Sequence, residues 1–215
     1  MSPYPLLSVL LTYPEAELIA ALPDIRAALE RDPRAHAALA PLVDHLGATP
    51  LIDLQEAYVA TFDRTPAHSL HLFEHVHGES RERGQALVDL LDEYRRFGFE
   101  PAAGELPDYL PLFVEFLGAI AADGHAVTAH RLLGDAIDVI AAIGERLERA
   151  GNPYASVFAQ LRALSPVAPQ PVAAPPPRTM DEALERFGPS SDGVEPLVGT
   201  MRGDVQPIRF HSRRA

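Results

Sequence analysis

Between residues 68 and 77 the chain carries four of its nine histidines. Three of them, His71, His75 and His77, lie with Glu74 and Arg81 in the string Ser69-Leu-His-Leu-Phe-Glu-His-Val-His-Gly-Glu-Ser-Arg-Glu-Arg-Gly84. His71, Glu74 and His75 have the H-x-x-E-H spacing of inverted zinc peptidases, in which two histidines one turn apart hold Zn²⁺ and the glutamate activates water. That chemistry needs an unbroken helix through both histidines, a third ligand, and outer groups that orient the imidazoles. Here Leu70, Leu72, Phe73 and Val76 flank the histidines on several sides, and Gly78 ends any helix soon after. The string therefore reads as a short connector between long helices, whose histidines cap, hydrogen-bond or receive a peptide. Zinc-dependent hydrolysis is the alternative.

A second cluster, Glu105-Leu-Pro-Asp-Tyr-Leu-Pro111, precedes the most apolar window of the chain. Pro107 suits the first turn of a helix, and Glu105 or Asp108 then lies near its N-terminus, where the helix dipole favours an anion. Paired carboxylates can also move protons, but neither a Gly-rich phosphate loop nor a G-x-S-x-G elbow accompanies them. Cysteine is absent, which removes disulfides, thiolate metal sites and a cysteine nucleophile. Lysine is absent too, which removes a P-loop lysine and a Schiff base. No catalytic residue and no resident cofactor is expected.

The elements that must position these clusters are helices. Leu18, Leu22, Ile25 and Leu29 recur in steps of three or four, as do Leu51, Leu54, Tyr58 and Phe62. Leu87, Leu90, Leu91 and Tyr94 repeat the spacing, followed by Tyr109, Leu112, Phe113, Phe116, Leu117 and Ile120, and by Leu133, Ile137, Ile140, Gly144 and Leu147. Asp32-Pro33 and Thr49-Pro50 each offer a capping side chain before a proline at the first helical position. Gly47, Gly98 and Gly151 follow periodic runs, where a left-handed C-cap belongs. The expected architecture is an all-α bundle of seven or eight helices over residues 1–164. An exposed groove of that bundle, lined by Tyr58, Phe62, Leu72, Phe73, Tyr109 and Phe113 and rimmed by Glu74, Glu105 and Asp108, would suit an amphipathic or basic peptide.

From Ser165 the composition turns to SPVAPQPVAAPPPR, which cannot continue a helix, so residues 165–215 read as a Pro/Ala-rich linker and a flexible tail. Within it Met180–Phe187 could form one or two helical turns with Leu184 and Phe187 as a docking face, against a tail that is disordered throughout. The tail carries six acidic and six basic residues, so the whole formal charge of −12 falls on residues 1–164. Such a body repels nucleic acid and attracts basic partners. The N-terminal apolar run lacks preceding positive residues and a cleavage site, and Leu110–Ala122 is interrupted and too short to cross a bilayer, so a cytoplasmic chain without a membrane span is expected.

Tyr58-Val-Ala-Thr-Phe-Asp63, the histidine string with Gln85 and Ala86 after it, Glu105 to Pro111, and the opening Leu6-Leu-Ser-Val-Leu-Leu-Thr-Tyr-Pro14 closely resemble the NarJ family of respiratory nitrate reductase assembly chaperones. The resemblance extends from the N-terminus to about residue 164. It implies an all-α, cytoplasmic, non-catalytic protein of the TorD/DmsD superfamily. Such a chaperone binds the N-terminal segment of the nitrate reductase catalytic (alpha) subunit, assists molybdenum cofactor insertion, and delays membrane attachment until assembly is complete. Molybdenum cofactor delivery proteins are further candidate partners. In the superfamily a Glu-x-Pro-Asp-His motif lies near the peptide groove; Glu105, Pro107 and Asp108 match it, and Tyr109 stands in place of the histidine. The residues that the resemblance and the apolar stripes together assign to peptide binding are Tyr58, Phe62, His71, Phe73, Glu74, His75, His77, Arg81, Glu105, Pro107, Asp108, Tyr109 and Phe113.

Overall fold

The computed structural model describes residues 2–172 apart from Glu79 and Ala103, so the tail from residue 173 on, Met180–Phe187 included, lies outside the described residues. Among the described residues nine α-helices follow one another: α1 (Tyr4–Leu10), α2 (Ala16–Leu29), α3 (Pro33–Ala48), α4 (Leu51–Tyr58), α5 (Glu74–His77), α6 (Arg81–Arg96), α7 (Leu110–Ala122), α8 (Ala126–Arg149) and α9 (Ala155–Leu164). A π turn, Val59–Asp63, and a 3-10 turn, Pro66–His68, continue α4 toward the histidine string. Among the described residues no strand forms, and one antiparallel bridge joins His71 to Tyr109.

The apolar stripes account for the packing. Helix α8 lies against α7 and α9, α1 packs on α7, and α2 pairs with α3, which also reaches α9. Leu133, Ile137, Ile140 and Leu147 of α8 are all buried, each contributing about 2 kcal/mol by leaving water. The α8–α9 contact is close because position 144 has no side chain: a Cβ there would stand 2.7 Å from that of Phe158. Helix α6 is the exception, since only Tyr94 of its stripe is buried while Leu87, Leu90 and Leu91 are half-covered.

Punctuation is met in part. Asp32 caps α3 by accepting the Arg34 and Ala35 amide hydrogens at 3.0 and 3.2 Å, and Gly98 and Gly151 follow α6 and α8 with φ of +77° and +64°. Gly47 is not a stop: α3 runs through it to Ala48, because the chain there packs on Leu22 and Arg26 of α2. Thr49 ends α3, and Pro50 is the N-cap of α4 instead of its first residue. Pro107 likewise sits in a turn ahead of α7, whose N-cap residue is Tyr109 and whose second residue is Pro111. The count exceeds eight because the connector itself holds the four-residue α5.

Past α9 the chain leaves the helix over 165–172 and bends at Pro166 and Val167. It lies against α8, where Pro166 and Val167 pack on Gly134 and the Gln170 amide donates to Asp138 at 2.7 Å.

Candidate functional site

The two sequence clusters meet. The Leu72 amide donates to the Asp108 carbonyl at 3.1 Å and the Leu110 amide to the Leu70 carbonyl at 2.8 Å, which forms the bridge between His71 and Tyr109. Asp108 is wholly buried, and a buried carboxylate is stable only with donors around it. One oxygen accepts the Phe73 amide hydrogen at 3.1 Å, and the other lies 3.2 Å from His71 Nδ1. That hydrogen bond holds the His71 pKa above its ordinary value of 6.5, burial opposes it, and the charge of Asp108 adds to it. Beneath, the buried Tyr94 hydroxyl donates to the Pro107 carbonyl at 2.7 Å. Ser69 donates to Glu74 at 2.6 Å, and Arg83 pairs with the other Glu74 oxygen at 3.2 Å.

His75 is buried, with Nε2 2.8 Å from the Ser69 carbonyl and Nδ1 3.5 Å from Arg146 Nη1. A carbonyl only accepts and a guanidinium only donates, so Nε2 carries the proton and Nδ1 receives one from Arg146. Arg146 also donates to the Ala67 carbonyl at 2.9 Å, tying α8 to the connector.

This geometry departs from the helix that the H-x-x-E-H pattern requires. The helix begins at Glu74, so His71 lies on extended backbone and not one turn before His75. His71 is turned toward Asp108, and a guanidinium stands against the only unprotonated nitrogen of His75.

The other site candidates divide by depth. Tyr58, Phe62, Phe113, Pro107, Asp108 and His75 are buried; His71, Phe73, Glu74, His77 and Tyr109 are half-buried; Arg81 and Glu105 are exposed. Asp108 is thus a support and not a rim, and the aromatic stripe of α4 and the π turn is core: the Tyr58 ring is tilted against Phe62 at 4.8 Å and stands edge-on to Tyr154 at 6.0 Å. What reaches the surface is a strip of rings. Tyr13 stands edge-on to Tyr58 at 5.5 Å, Tyr109 lies 5.5 Å from His71, and Phe73 lies 6.0 Å from His77. Tyr13 and Arg146 were not among the sequence candidates; Tyr13 lies in the opening string that carries the resemblance, nothing local marks Arg146, and the roles of both come from packing across the chain.

A family model, that of the nitrate reductase delta subunit, matches residues 29–160. The chain belongs to this family. It is 38% identical over 159 residues to NarW of Escherichia coli K12, a candidate nitrate reductase molybdenum cofactor assembly chaperone, covering 74% of this chain and 66% of NarW. Against the nitrate reductase molybdenum cofactor assembly chaperone NarJ of the same organism it is 45% identical over 107 residues, covering 50% of this chain and 44% of NarJ. The chain thus spans less than two thirds of either relative. A crystal structure of a candidate redox enzyme maturation protein from Archaeoglobus fulgidus superposes with a TM-score of 0.55 at 20% identity, over 74% of this chain and 90% of that one, which shows the shared all-α fold. The family's bundle is therefore the frame in which the clasp between residues 69–77 and 105–111 is built.

Proposed function

We propose that this chain is an assembly chaperone for a respiratory nitrate reductase: it binds the N-terminal segment of the catalytic subunit in the cytoplasm, assists molybdenum cofactor insertion, and delays membrane attachment until assembly is complete. The identity to NarW across three quarters of the chain carries the reading. The chemistry of the surface supports it. A strip of half-exposed rings, Tyr109, His71, Phe73 and His77, lies on a backbone clasp that buried Asp108 holds rigid, and rigid aromatic anchors bind a peptide with little loss of side-chain entropy. Glu74, Glu105 and the −12 body favour a basic segment. The exposed Arg81 opens α6, and the buried members of the set, Tyr58, Phe62, His75, Pro107, Asp108 and Phe113, act by holding the strip in place. The cofactor belongs to the client, and the proteins that deliver it are candidate second partners.

The test is to express the cognate catalytic subunit with and without this chain and to measure its molybdenum content. Loading that falls severalfold without the chain, and returns when it is supplied in trans, is the expected result. Full loading in its absence contradicts the proposal.

A further inference from the structure

We propose that residues 165–172 are a strap on the peptide site: seated along α8, they hold the Arg146 side chain where it fixes the connector of residues 66–78, and so set the affinity of the ring strip from beyond the last helix. This rests on the peptide-binding reading above and adds to it a means of regulation.

Several small contacts seat the strap. Ser165 turns the chain out of α9, its hydroxyl donating to the Val167 carbonyl at 2.9 Å and accepting the Val167 amide hydrogen at 3.2 Å. Pro166 and Val167 then lie over Gly134, where an added Cβ would stand 3.3 Å from Val167 and 3.5 Å from Pro166. The Gln170 amide donates to Asp138. Pro169 and Val172 are half-buried while Ala168, Gln170 and Pro171 are exposed, and Val172 packs against the core. From position 134 to 146 α8 rises about 18 Å. Six residues of open chain, from 166 to 172, cover about 19 Å, so the strap runs alongside the helix and not across it. Held by one backbone hydrogen bond and a few apolar contacts, it lifts without unfolding the bundle.

The end of the strap reaches the residue that ties down the connector. Pro169 to Val172 wall one cavity with Arg146, Arg149 and Arg162. Arg149 folds back on the Glu145 carbonyl at 3.2 Å, and Arg162 pairs with the Glu145 side chain at 3.7 Å. Arg146 reaches instead to the Ala67 carbonyl and to His75, and α8 also touches the 66–68 turn directly. One half-buried guanidinium therefore stands between strap and connector. With the strap seated, less water reaches it, and its hydrogen bonds to the connector are the stronger for that. With the strap lifted, water competes for the same donors. Rings on a looser connector lose more conformational entropy when a peptide docks.

Two substitutions in the full chain lift the strap by different means. Gly134→Leu puts a side chain where Pro166 and Val167 lie, and Gln170→Pro removes the N–H that Asp138 accepts; Gln170→Ala keeps that N–H and is the control. Two quantities are read: amide hydrogen exchange over residues 67–78, and affinity for a synthetic peptide of the N-terminal segment of the cognate catalytic subunit. Both lifting variants are expected to speed exchange about threefold and to weaken peptide binding about threefold, with Gln170→Ala behaving as the wild type. In an Arg146→Gln background the same two substitutions are expected to add nothing, because the route between strap and connector is gone. If lifting the strap changes neither quantity, or if its effect survives in the Arg146→Gln background, this proposal falls while the peptide-binding reading stands. If the wild type binds no peptide, both fall.

Discussion

Asp108 has no solvent exposure, yet it accepts the Phe73 amide hydrogen and faces His71. Asp108→Ala leaves a buried amide and an imidazole without an acceptor, and the expected loss is about 3 kcal/mol in urea unfolding. Asp108→Asn keeps one acceptor, so its loss should be near half of that; equal losses would show that a neutral oxygen replaces nothing and that the carboxylate charge carries the whole effect. His71 carries a pH dependence whose sign follows from its raised pKa. The folded state binds the proton more tightly than the unfolded one, so the stabilisation is complete below about 6.5 and is lost as pH rises through the folded pKa. The melting temperature of the wild type relative to His71→Gln should therefore shrink between about pH 6 and about pH 8. A constant difference would mean that the pair adds nothing through charge. Neither residue's depth was legible in the sequence: Asp108 is read there as a rim carboxylate because its partners lie some three dozen positions earlier, and side-chain burial by a distant segment leaves no local trace.

Helices were the legible elements. Apolar recurrence at three and four residues locates α2, α4, α7 and α8, because each must bury one face against the bundle. The breaks were less so, since Gly47 is a packing position that resembles a stop, and the π turn at Val59–Asp63 has no signature in Val-Ala-Thr-Phe-Asp. Two glycines within helices separate propensity from packing. At Gly84 of α6 nothing lies within 4 Å of an added Cβ, whereas at Gly144 of α8 one would strike Phe158. Gly84→Ala is expected to stabilise by up to about 1 kcal/mol through helix propensity alone. Gly144→Ala carries the same propensity gain, but it forces α9 away from α8 and should be destabilising by about 1–2 kcal/mol net. Thermal melts of the pair check this, and a stabilised Gly144→Ala would show that α9 shifts at no cost.

At the scale of the whole molecule, the family bundle supplies a frame in which two loops some thirty residues apart become one surface. That surface carries rings above a buried carboxylate, on a body whose −12 charge attracts a basic segment over a Debye length of about 10 Å. The family was legible because its motifs are contiguous strings; the division of those motifs into buried supports and surface contacts was not, because it depends on the bridge between His71 and Tyr109. The most direct measurement is isothermal titration of the purified chain with the N-terminal peptide of the cognate nitrate reductase catalytic subunit, at low and at raised salt. Saturable one-to-one binding that weakens with salt and falls severalfold in Phe73→Ala is the expected result. Absence of binding, or equal binding of a scrambled peptide of the same composition, would contradict the chaperone assignment.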